Sequence, residues 1–262
     1  MLVPYQIDKK IDTPAKPKRI ISLVPSQTEL LFELGLEKEI VGITKFCIHP
    51  KEKVKHIAKI GGTKNFHFDK IDALRPDLII GNKEENYQEG IEKLAQTYPV
   101  WISDIYTLPD ALSMIETLGK ITQKNTEAQN LIIQIQRKFQ ALYKVALKTS
   151  VAYLIWRKPY MVAARNTFID AMLSEMGLEN VFSDKERYPE TSLAELAQRM
   201  PDLIFLSSEP YPFKEKHIAE IQANCPNSKV ILVDGEMFSW YGSRLLKSSQ
   251  YFQELLQFLQ KQ

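Results

Sequence analysis

Two short stretches of this 262-residue chain share the sequence Pro-Asp-Leu-Ile: residues 75–81 read RPDLIIG and residues 200–206 read MPDLIFL. In each, a proline interrupts a helical pattern and a run of apolar residues follows, which predicts a helix, a turn and a buried strand. The stretch GLEKEIVG after Gly35 likewise resembles GLENVF after Gly177. Because the same order of elements occurs twice, the sequence predicts two similar lobes.

Apolar, β-branched runs and helical patterns alternate along both halves. Strands are predicted at residues 19–24, 39–43, 78–81, 100–102, 151–156, 201–206 and 229–233. Helices are predicted between them at residues 26–34, 91–98, 168–176, 193–200 and 218–223, the first opening on the cap-like SQTE at residues 26–29. Such alternation is typical of mostly parallel sheets. The predicted fold is therefore α/β, with two Rossmann-like lobes.

The segment between the two halves has a helical pattern of its own. Apolar residues recur at 128, 131, 132, 135, 139 and 142 with polar residues on the other face. A helix over residues 126–147 would be about 33 Å long at 1.5 Å per residue. We therefore divide the chain into an N-terminal segment (1–18), an N-terminal lobe (19–107), one long linking helix (108–148) and a C-terminal lobe (149–262).

Composition and charge narrow the possible functions. The net charge is only +2 and lysines are interleaved with glutamates, so no basic surface for nucleic acid is expected. No apolar stretch is long enough to span a membrane. The first 19 residues lack the pattern of a secretory signal, which leaves open either a cytoplasmic location or a leader that precedes this sequence. The two cysteines, Cys47 and Cys225, are far apart; a disulfide is possible, and two small buried apolar residues are the simpler interpretation.

The loops that follow the strands are the expected location of a site, because ligands of open α/β sheets bind beyond the carboxyl ends of the strands. These loops contain two of the three tryptophans and several tyrosines, including the cluster Phe238, Trp240 and Tyr241. Flat aromatic surfaces with a few polar groups suit a rigid, mostly apolar organic ligand. Arginine guanidinium groups at 157, 165 and 244 could bind carboxylates or phosphate on that ligand.

Signatures of catalysis and of metal binding by the protein alone are missing from the sequence. There is no G-x-S-x-G, no Walker loop and no G-x-G-x-x-G. His49 has no second histidine at the spacing of a metal site, so we expect it to touch a ligand rather than to hold a metal with other side chains. The residues therefore indicate no catalytic residue, no resident cofactor and no metal site formed by the protein alone.

Several ordered motifs together resemble a known family. They are RIISLVPSQTELLFELGL (19–36), IVGITKFCIHP (40–50), KIGGTKN (59–65), IDALRPDLIIGN (71–82), YLIWRKPYMVAARNTFIDAMLSEMGLENVF (153–182), YPETSLAELAQRMPDLIFLSSEPYPF (188–213) and VDGEMFSWYGSRLL (233–246). From about residue 19 to its end, the chain resembles the periplasmic binding proteins with a helical backbone. These serve ABC importers of vitamin B12, haem and ferric siderophores, and the resemblance is nearest to the vitamin B12-binding branch.

This resemblance implies a non-enzymatic, periplasmic and monomeric receptor that holds a corrinoid such as cobalamin, or an iron chelate, in a cleft between its lobes and delivers it to an ABC permease. Aromatic residues line the cleft in the vitamin B12 branch, and His49 and Asn82 stand here where that branch has aromatic residues. The implied ligand-binding positions are His49, Asn65, Asn82, Trp156, Tyr160, Tyr188, Glu236 and Trp240, to which the aromatic cluster and the arginines add Tyr241 and Arg244. The implied permease-docking acids are Asp69 and, beside Ala194, Glu195.

Two other functions remain open at this point. A tetrapyrrole chelatase also pairs two α/β lobes around a cleft and needs a histidine and an acid facing the ring, which His49 with Glu209 or Glu236 could supply. A cytoplasmic corrinoid carrier or sensor could have kept the fold without export. Insertion of a metal into a metal-free tetrapyrrole would identify the first, and a leader encoded upstream of Met1 would argue against the second.

Overall fold

The chain divides into two compact units. A computed structural model describes residues 2–4, 10–12, 16–142 and 149–260. Unit 1 contains the described residues up to Ile105 together with Pro109–Gln136 and Trp240–Leu245, and unit 2 contains Tyr106–Leu108, the described residues from Arg137 to Ser239, and those from Leu246 onward. Each unit has its own sheet and its own apolar core.

Unit 1 is built on a five-stranded parallel sheet with strand order β5-β4-β3-β6-β7. Its central strands are buried on both faces, which explains why they appear as continuous apolar runs in the sequence. The elements in chain order are β1 (Leu2–Pro4), β2 (Lys10–Asp12), β3 (Ile20–Ser22), α1 (Pro25–Glu33), β4 (Ile40–Ile43), α2 (Lys51–Val54), β5 (Ala58–Lys59), α3 (Phe68–Leu74), β6 (Leu78–Asn82), α4 (Gln88–Ala95) and β7 (Val100–Ser103). The short strands β1 and β2 pair with each other in an antiparallel sheet, where we expected an entry segment with at most one edge strand.

The segment predicted as one linking helix contains two helices, α5 (Leu108–Thr122) and α6 (Asn125–Gln140). The break between them lies at Gln123, whose φ of 58° is left-handed and cannot continue a right-handed helix. Helix α6 begins within one residue of the expected start and ends at Gln140, which makes it about 24 Å long rather than 33 Å. The last residues of the predicted helix, 143–148, lie outside the described part of the chain.

Unit 2 is built on a mixed sheet. Strands β10, β8, β12 and β13 run parallel in that order, and β9 and β11 add an antiparallel edge. Its elements are β8 (Thr149–Trp156), β9 (Tyr160–Val162), α7 (Phe168–Glu175), β10 (Leu178–Asn180), β11 (Glu190–Thr191), α8 (Leu193–Arg199), β12 (Leu203–Ser207), α9 (Glu215–Asn224), β13 (Lys229–Val233), α10 (Gly235–Ser239) and α11 (Leu245–Gln260).

Each of the two sheets contains four parallel strands in an equivalent order, which confirms the predicted α/β fold. Strand order is β4-β3-β6-β7 in unit 1 and β10-β8-β12-β13 in unit 2. The two stretches that share Pro-Asp-Leu-Ile occupy equivalent places, each joining a helix to the third of these four strands. Gly35 and Gly177, which directly follow the predicted helices at residues 26–34 and 168–176, end helices α1 and α7 with left-handed φ angles of 71° and 79°.

The Pro-Asp turns also work in the same way in both units. The residue before each proline, Arg75 or Met200, is left-handed and caps its helix. Asp77 accepts hydrogen bonds from the backbone N–H groups of Lys18 and Arg19, both at 2.8 Å, just before β3. Asp202 accepts one at 2.7 Å from the N–H of Ser150 in β8. The aspartate therefore fixes the beginning of a central strand in each unit.

Candidate functional site

The carboxyl edge of the unit 1 sheet carries an exposed apolar loop. After β4, Phe46 is 50% exposed and Ile48 is 49% exposed, whereas Cys47 between them is buried. The Cys47 thiol is held by the hydroxyls of Thr28, at 3.1 Å, and Thr44, at 3.2 Å. Because the middle residue is fixed inward, its two neighbours are directed outward at the edge where α/β sheets bind ligands.

His49 ends this loop and begins a chain of contacts within unit 1. Its ring is partly exposed and meets the ring of Trp240 edge-on, with 5.4 Å between centroids. The guanidinium of Arg244 lies 4.8 Å from the Trp240 ring, and its Nε donates a hydrogen bond to Glu29 Oε2 at 2.8 Å. Trp240, Tyr241 and Arg244 are all at least 93% buried. His49 is therefore accessible to solvent. Trp240, Tyr241 and Arg244, which we also expected to contact the ligand, are buried.

The two asparagines expected in the site differ in their surroundings. Asn65 is exposed in the glycine loop after β5, as a ligand contact should be. Asn82 is 2% exposed, and its amide donates to the backbone oxygen of Ser103 at 3.1 Å and to the Ser103 hydroxyl at 3.0 Å. Its Oδ1 accepts from the N–H groups of Glu84, at 2.9 Å, and Glu85, at 3.1 Å. With these four hydrogen bonds, the buried Asn82 side chain holds the end of β6.

The carboxyl edge of the unit 2 sheet carries a second exposed aromatic group. Trp156, the last residue of β8, is 39% exposed and packs edge-on against Tyr211, with 5.8 Å between centroids. Tyr211 in turn packs against Phe213 at 4.8 Å and His217 at 5.7 Å. His217 is buried, and this burial lowers its pKa, so its neutral imidazole accepts a 2.9 Å hydrogen bond from the Lys214 N–H. The exposed Trp156 indole thus packs against a cluster of aromatic side chains formed by Tyr211, Phe213 and His217.

Tyr160 and Arg157 both bind the carboxylate of Glu220. Glu220 accepts a 2.7 Å hydrogen bond from the Tyr160 hydroxyl and pairs with Arg157 at 2.7 Å. The Tyr160 hydrogen bond and then the arginine hold the pKa of Glu220 below its usual value. Arg157, considered above as a clamp for ligand anions, is therefore already neutralised within its own unit, and Tyr160 is oriented by Glu220.

The remaining predicted contacts of unit 2 lie in two other places. Tyr188 is partly exposed, and the Arg187 guanidinium lies 5.6 Å from its ring and 5.3 Å from that of Tyr106. Glu236 is partly exposed in the first turn of α10, directly after β13. Arg165, the other candidate clamp, is paired with Glu186 at 2.7 Å. Tyr188 and Glu236 keep the exposure that a ligand contact requires.

The two predicted docking acids differ in how far they are engaged. Asp69 is exposed in the first turn of α3. Glu195 accepts from Lys185 at 2.6 Å, from Thr191 at 3.0 Å and from Arg199 at 3.0 Å. The lysine hydrogen bond is the main reason that the pKa of Glu195 is lowered. Glu195 therefore stabilises its own unit, whereas Asp69 is available on the surface.

Metal binding and covalent cysteine chemistry are not supported in the described part of the chain. No group of three or more His, Cys, Asp or Glu side chains there is placed to hold a metal ion. Both Cys47 and Cys225 are buried free thiols, which settles the question of a disulfide, and burial raises the pKa of each. Among the described helices, none combines the length and the apolar character needed to cross a bilayer.

A surface groove of about 420 Å³ lies in unit 1, and none of the predicted site residues lines it. It is lined by α5 and α6, with Glu116, Lys120, Asn125 and Gln129 among its residues. These side chains are polar and none is aromatic, so the groove does not match the apolar site expected for an organic ligand.

The sequence alone did not single out Phe46, Ile48, Tyr211 and Glu220. Phe46, Cys47 and Ile48 are consecutive apolar residues, so the sequence does not show that the outer two are exposed while Cys47 is buried. Tyr211 and Glu220 act through Trp156 and Tyr160, and such supporting contacts depend on residues about 55–60 positions away. Nothing in the local sequence indicates them.

Comparisons with known proteins agree with this fold. The family model described as periplasmic binding protein matches residues 20–226. A vitamin B12-binding protein of Pectobacterium carotovorum is 26% identical over 246 residues, covering 90% of this chain and 87% of that protein. The crystal structure of the periplasmic vitamin B12 binding protein of Vibrio cholerae has a TM-score of 0.76 at 22% identity, covering 95% and 100% of the two chains.

A periplasmic haem binding protein of Vibrio cholerae is similar in fold to the same degree, with a TM-score of 0.77 at 22% identity and coverage of 91% and 98%. Its likeness and that of the vitamin B12 binding protein are too distant in sequence to show more than a shared fold. All of these relatives are named as binding proteins rather than enzymes. The matched family model extends over most of both units, and this chain belongs to the periplasmic binding protein family.

Proposed function

We propose that this protein is the substrate-binding component of an ABC importer and that it binds a cobalamin-like corrinoid or an iron chelate. The observation that carries the proposal is that each unit exposes large apolar side chains directly after a core strand: Phe46 and Ile48 after β4, and Trp156 at the end of β8. Exposed apolar side chains that lie together are a feature of ligand-binding surfaces, and the carboxyl edge of an α/β sheet is where small ligands bind.

The polar groups at the same edges fit a ligand with a flat, largely apolar body and a few polar substituents. In unit 1, His49 and Asn65 are accessible. In unit 2, Tyr160, Tyr188 and Glu236 are partly exposed. The imidazole of His49 is also a good ligand for a metal ion that is already bound in a chelate. Corrinoids, haem and ferric siderophores share this combination of a large chelate and peripheral polar groups.

The names of the relatives support the same ligand classes. Curated relatives include vitamin B12-binding proteins, and the similar solved structures include vitamin B12, haem and ferric-hydroxamate proteins. Sequence similarity is with the vitamin B12 group, so we place cobalamin first among the candidates. The protein would act outside the cytoplasmic membrane as a monomer and deliver its ligand to the permease.

A calorimetric and absorbance titration distinguishes these ligands. The purified protein is titrated with cyanocobalamin, haemin and a ferric hydroxamate, and with metal-free protoporphyrin as a control for non-specific apolar binding. We expect one site per chain for one of the first three, with a dissociation constant of about 1 µM or lower, which corresponds to about −8 kcal/mol. No binding to any of the three would overturn the ligand proposal.

A pair of variants tests whether the exposed loop of unit 1 takes part. Phe46→Ser removes a half-exposed aromatic group after β4, and Phe258→Ser removes one of 44% exposure from α11 in unit 2. Phe258 lies beside Lys229, at the amino end of β13 and therefore at the opposite edge of its sheet from a ligand. Phe46→Ser should weaken binding by about 1–2 kcal/mol and Phe258→Ser should leave it unchanged. Equal losses in both variants would contradict the proposed location.

The same purified protein and metal-free protoporphyrin also test the enzymatic alternative. A tetrapyrrole chelatase would convert metal-free protoporphyrin and a divalent metal to the metal complex, which is followed by absorbance. We expect no turnover, because the described residues hold no metal-binding cluster that could deliver the ion. Catalytic formation of the metal complex would replace the receptor proposal with the chelatase.

Delivery to a permease is tested at Asp69. Asp69→Asn removes an exposed carboxylate from α3, and Glu52→Gln removes one of 78% side-chain exposure from the neighbouring helix α2. If Asp69 docks to basic residues of the importer, only Asp69→Asn should slow ligand uptake by vesicles containing the importer, while ligand affinity stays unchanged. Glu195→Gln should act mainly on stability, because Lys185 and Arg199 already bind that carboxylate.

A further inference from the structure

We propose that Glu29 is a positioning residue for the ligand site: through Arg244 it holds the indole of Trp240 in place, and Trp240 holds His49 at the edge of unit 1. This inference rests on the proposed function, because it assigns His49 to the ligand. Glu29 was expected from the sequence to belong to a helix cap, and nothing in the comparisons gives it a role.

Helix α1 does not use Glu29 for capping. The helix begins with Pro25 after Val24, and no side chain caps its first turn. Glu29 lies one turn further on, and its side chain is only 10% exposed. A carboxylate removed from water to this extent needs a charged partner or several hydrogen bonds. Arg244, at 4% side-chain exposure, supplies the charge across 215 positions of sequence.

The partner of Glu29 connects it to the aromatic pair. The Arg244 guanidinium lies 4.8 Å from the Trp240 ring, a distance at which a cation is attracted to the face of an indole. Trp240 is 93% buried, so it offers little surface to a ligand, but its ring contacts the partly exposed His49. The contacts thus run from a buried carboxylate to an accessible imidazole, and only the last member is placed to touch a ligand.

The segment that carries Arg244 packs closely against α1. Residues Trp240–Leu245 belong to unit 1, whereas the residues on either side belong to unit 2. Gly242 within the segment has a left-handed φ of 101° and approaches α1, where an added Cβ would lie 3.3 Å from the Cβ of Leu30. The ion pair with Glu29 therefore provides a specific side-chain anchor of this segment to α1.

The first experiment follows Trp240 without any ligand. The chain has three tryptophans, so labelling with 5-fluorotryptophan gives three ¹⁹F resonances, and Trp240→Phe identifies the one of interest. Glu29→Gln keeps the size of the side chain and removes its charge. We expect the Trp240 resonance to shift or broaden and the Trp156 resonance, from the other unit, to stay in place. An unchanged Trp240 resonance would overturn the proposal.

The second experiment separates positioning from stability. The double variant Glu29→Leu, Arg244→Met removes both charges, and replacing a buried ion pair by apolar residues is often neutral for stability. A positioning role predicts that the urea midpoint stays near that of the wild type while the affinity for cyanocobalamin, haemin or the ferric hydroxamate, whichever the wild type binds, falls about tenfold. Full affinity in the double variant would show that the pair is merely structural and would overturn the proposal.

Two controls complete the test. Leu31→Val in α1 removes a buried methylene and lowers stability without touching the ion pair, so it should leave both the Trp240 resonance and the ligand affinity unchanged. Arg244→Lys keeps the charge and loses the planar group that faces the indole, so it should shift the resonance and weaken binding as Glu29→Gln does. If the wild type binds none of the three ligands, the proposed function fails, and the ¹⁹F measurement alone decides on the positioning role.

Discussion

Asn82→Ala should destabilise unit 1 strongly and leave ligand binding by the folded protein unchanged. The Asn82 side chain makes four hydrogen bonds, two to Ser103 and two to the backbone N–H groups of Glu84 and Glu85. A net value of about 1 kcal/mol for each, reduced where the partly buried N–H groups can bind water instead, gives a loss of about 2–4 kcal/mol. Ser103 is fully buried, so its groups are the ones that stay unsatisfied.

Urea unfolding measured by fluorescence tests this value. In a Trp156→Phe background the remaining tryptophans, Trp101 and Trp240, both belong to unit 1, so the signal reports that unit. Trp101 lies in β7, which pairs with the strand that Asn82 ends, and it is therefore close to the change.

Asn65→Ala is the matched control, because the same residue type is removed from an exposed loop of the same unit. It should change the free energy of unfolding by less than about 0.5 kcal/mol. The reasoning would be refuted if Asn82→Ala cost less than this amount and weakened ligand binding at the same time. That result would restore Asn82 as a ligand contact.

Three further results are expected. Met200→Gly should stabilise unit 2 by about 1 kcal/mol in urea unfolding, since Met200 is 74% exposed with a left-handed φ of 46°; a loss of stability would contradict this. In Glu220→Gln, the free energy of unfolding should depend less on pH below about pH 4.5. The pKa of Glu220 is lower in the folded protein than in the unfolded chain, so its carboxylate stabilises the fold fully above the unfolded-state pKa, and this stabilisation is lost as the pH falls through the folded-state pKa. If the pH dependence of unfolding below about pH 4.5 were the same in the variant and the wild type, this would argue against the Arg157–Glu220–Tyr160 contacts. Both thiols should react with a disulfide reagent only after denaturation, and rapid reaction of the native protein would contradict their burial.

The alternation of strands and helices could be predicted because it depends on local patterns. Buried parallel strands leave uninterrupted apolar runs, and Gly35 and Gly177 mark helix ends by a conformation that glycine adopts easily. The duplicated Pro-Asp turn is also a local signal, and the structure shows what it does: Asp77 and Asp202 each hold the start of a strand. These features account for the success of the fold prediction.

The side-chain environment of the site could not be predicted in the same way. Asn82, Trp240 and Arg244 occupy suitable loops, but whether a loop residue faces outward depends on partners far along the chain, such as Ser103 for Asn82 and Glu29 for Arg244. The break at Gln123 was missed for another reason: its left-handed conformation carries no sequence signal, because glutamine is a good helix former. The residue-by-residue assignment of the ligand site therefore remains a prediction.

The most direct test of the binding-protein account compares the affinity of Trp156→Ala and Phe258→Ala for the ligand selected by the titration. Both variants remove an aromatic side chain that is about two-fifths exposed in unit 2, from opposite edges of one sheet. The account predicts that Trp156→Ala binds at least about tenfold more weakly, a loss of about 1.4 kcal/mol, and that Phe258→Ala binds like the wild type. Equal affinity of the two variants would contradict the claim that the carboxyl edge of this sheet holds the ligand.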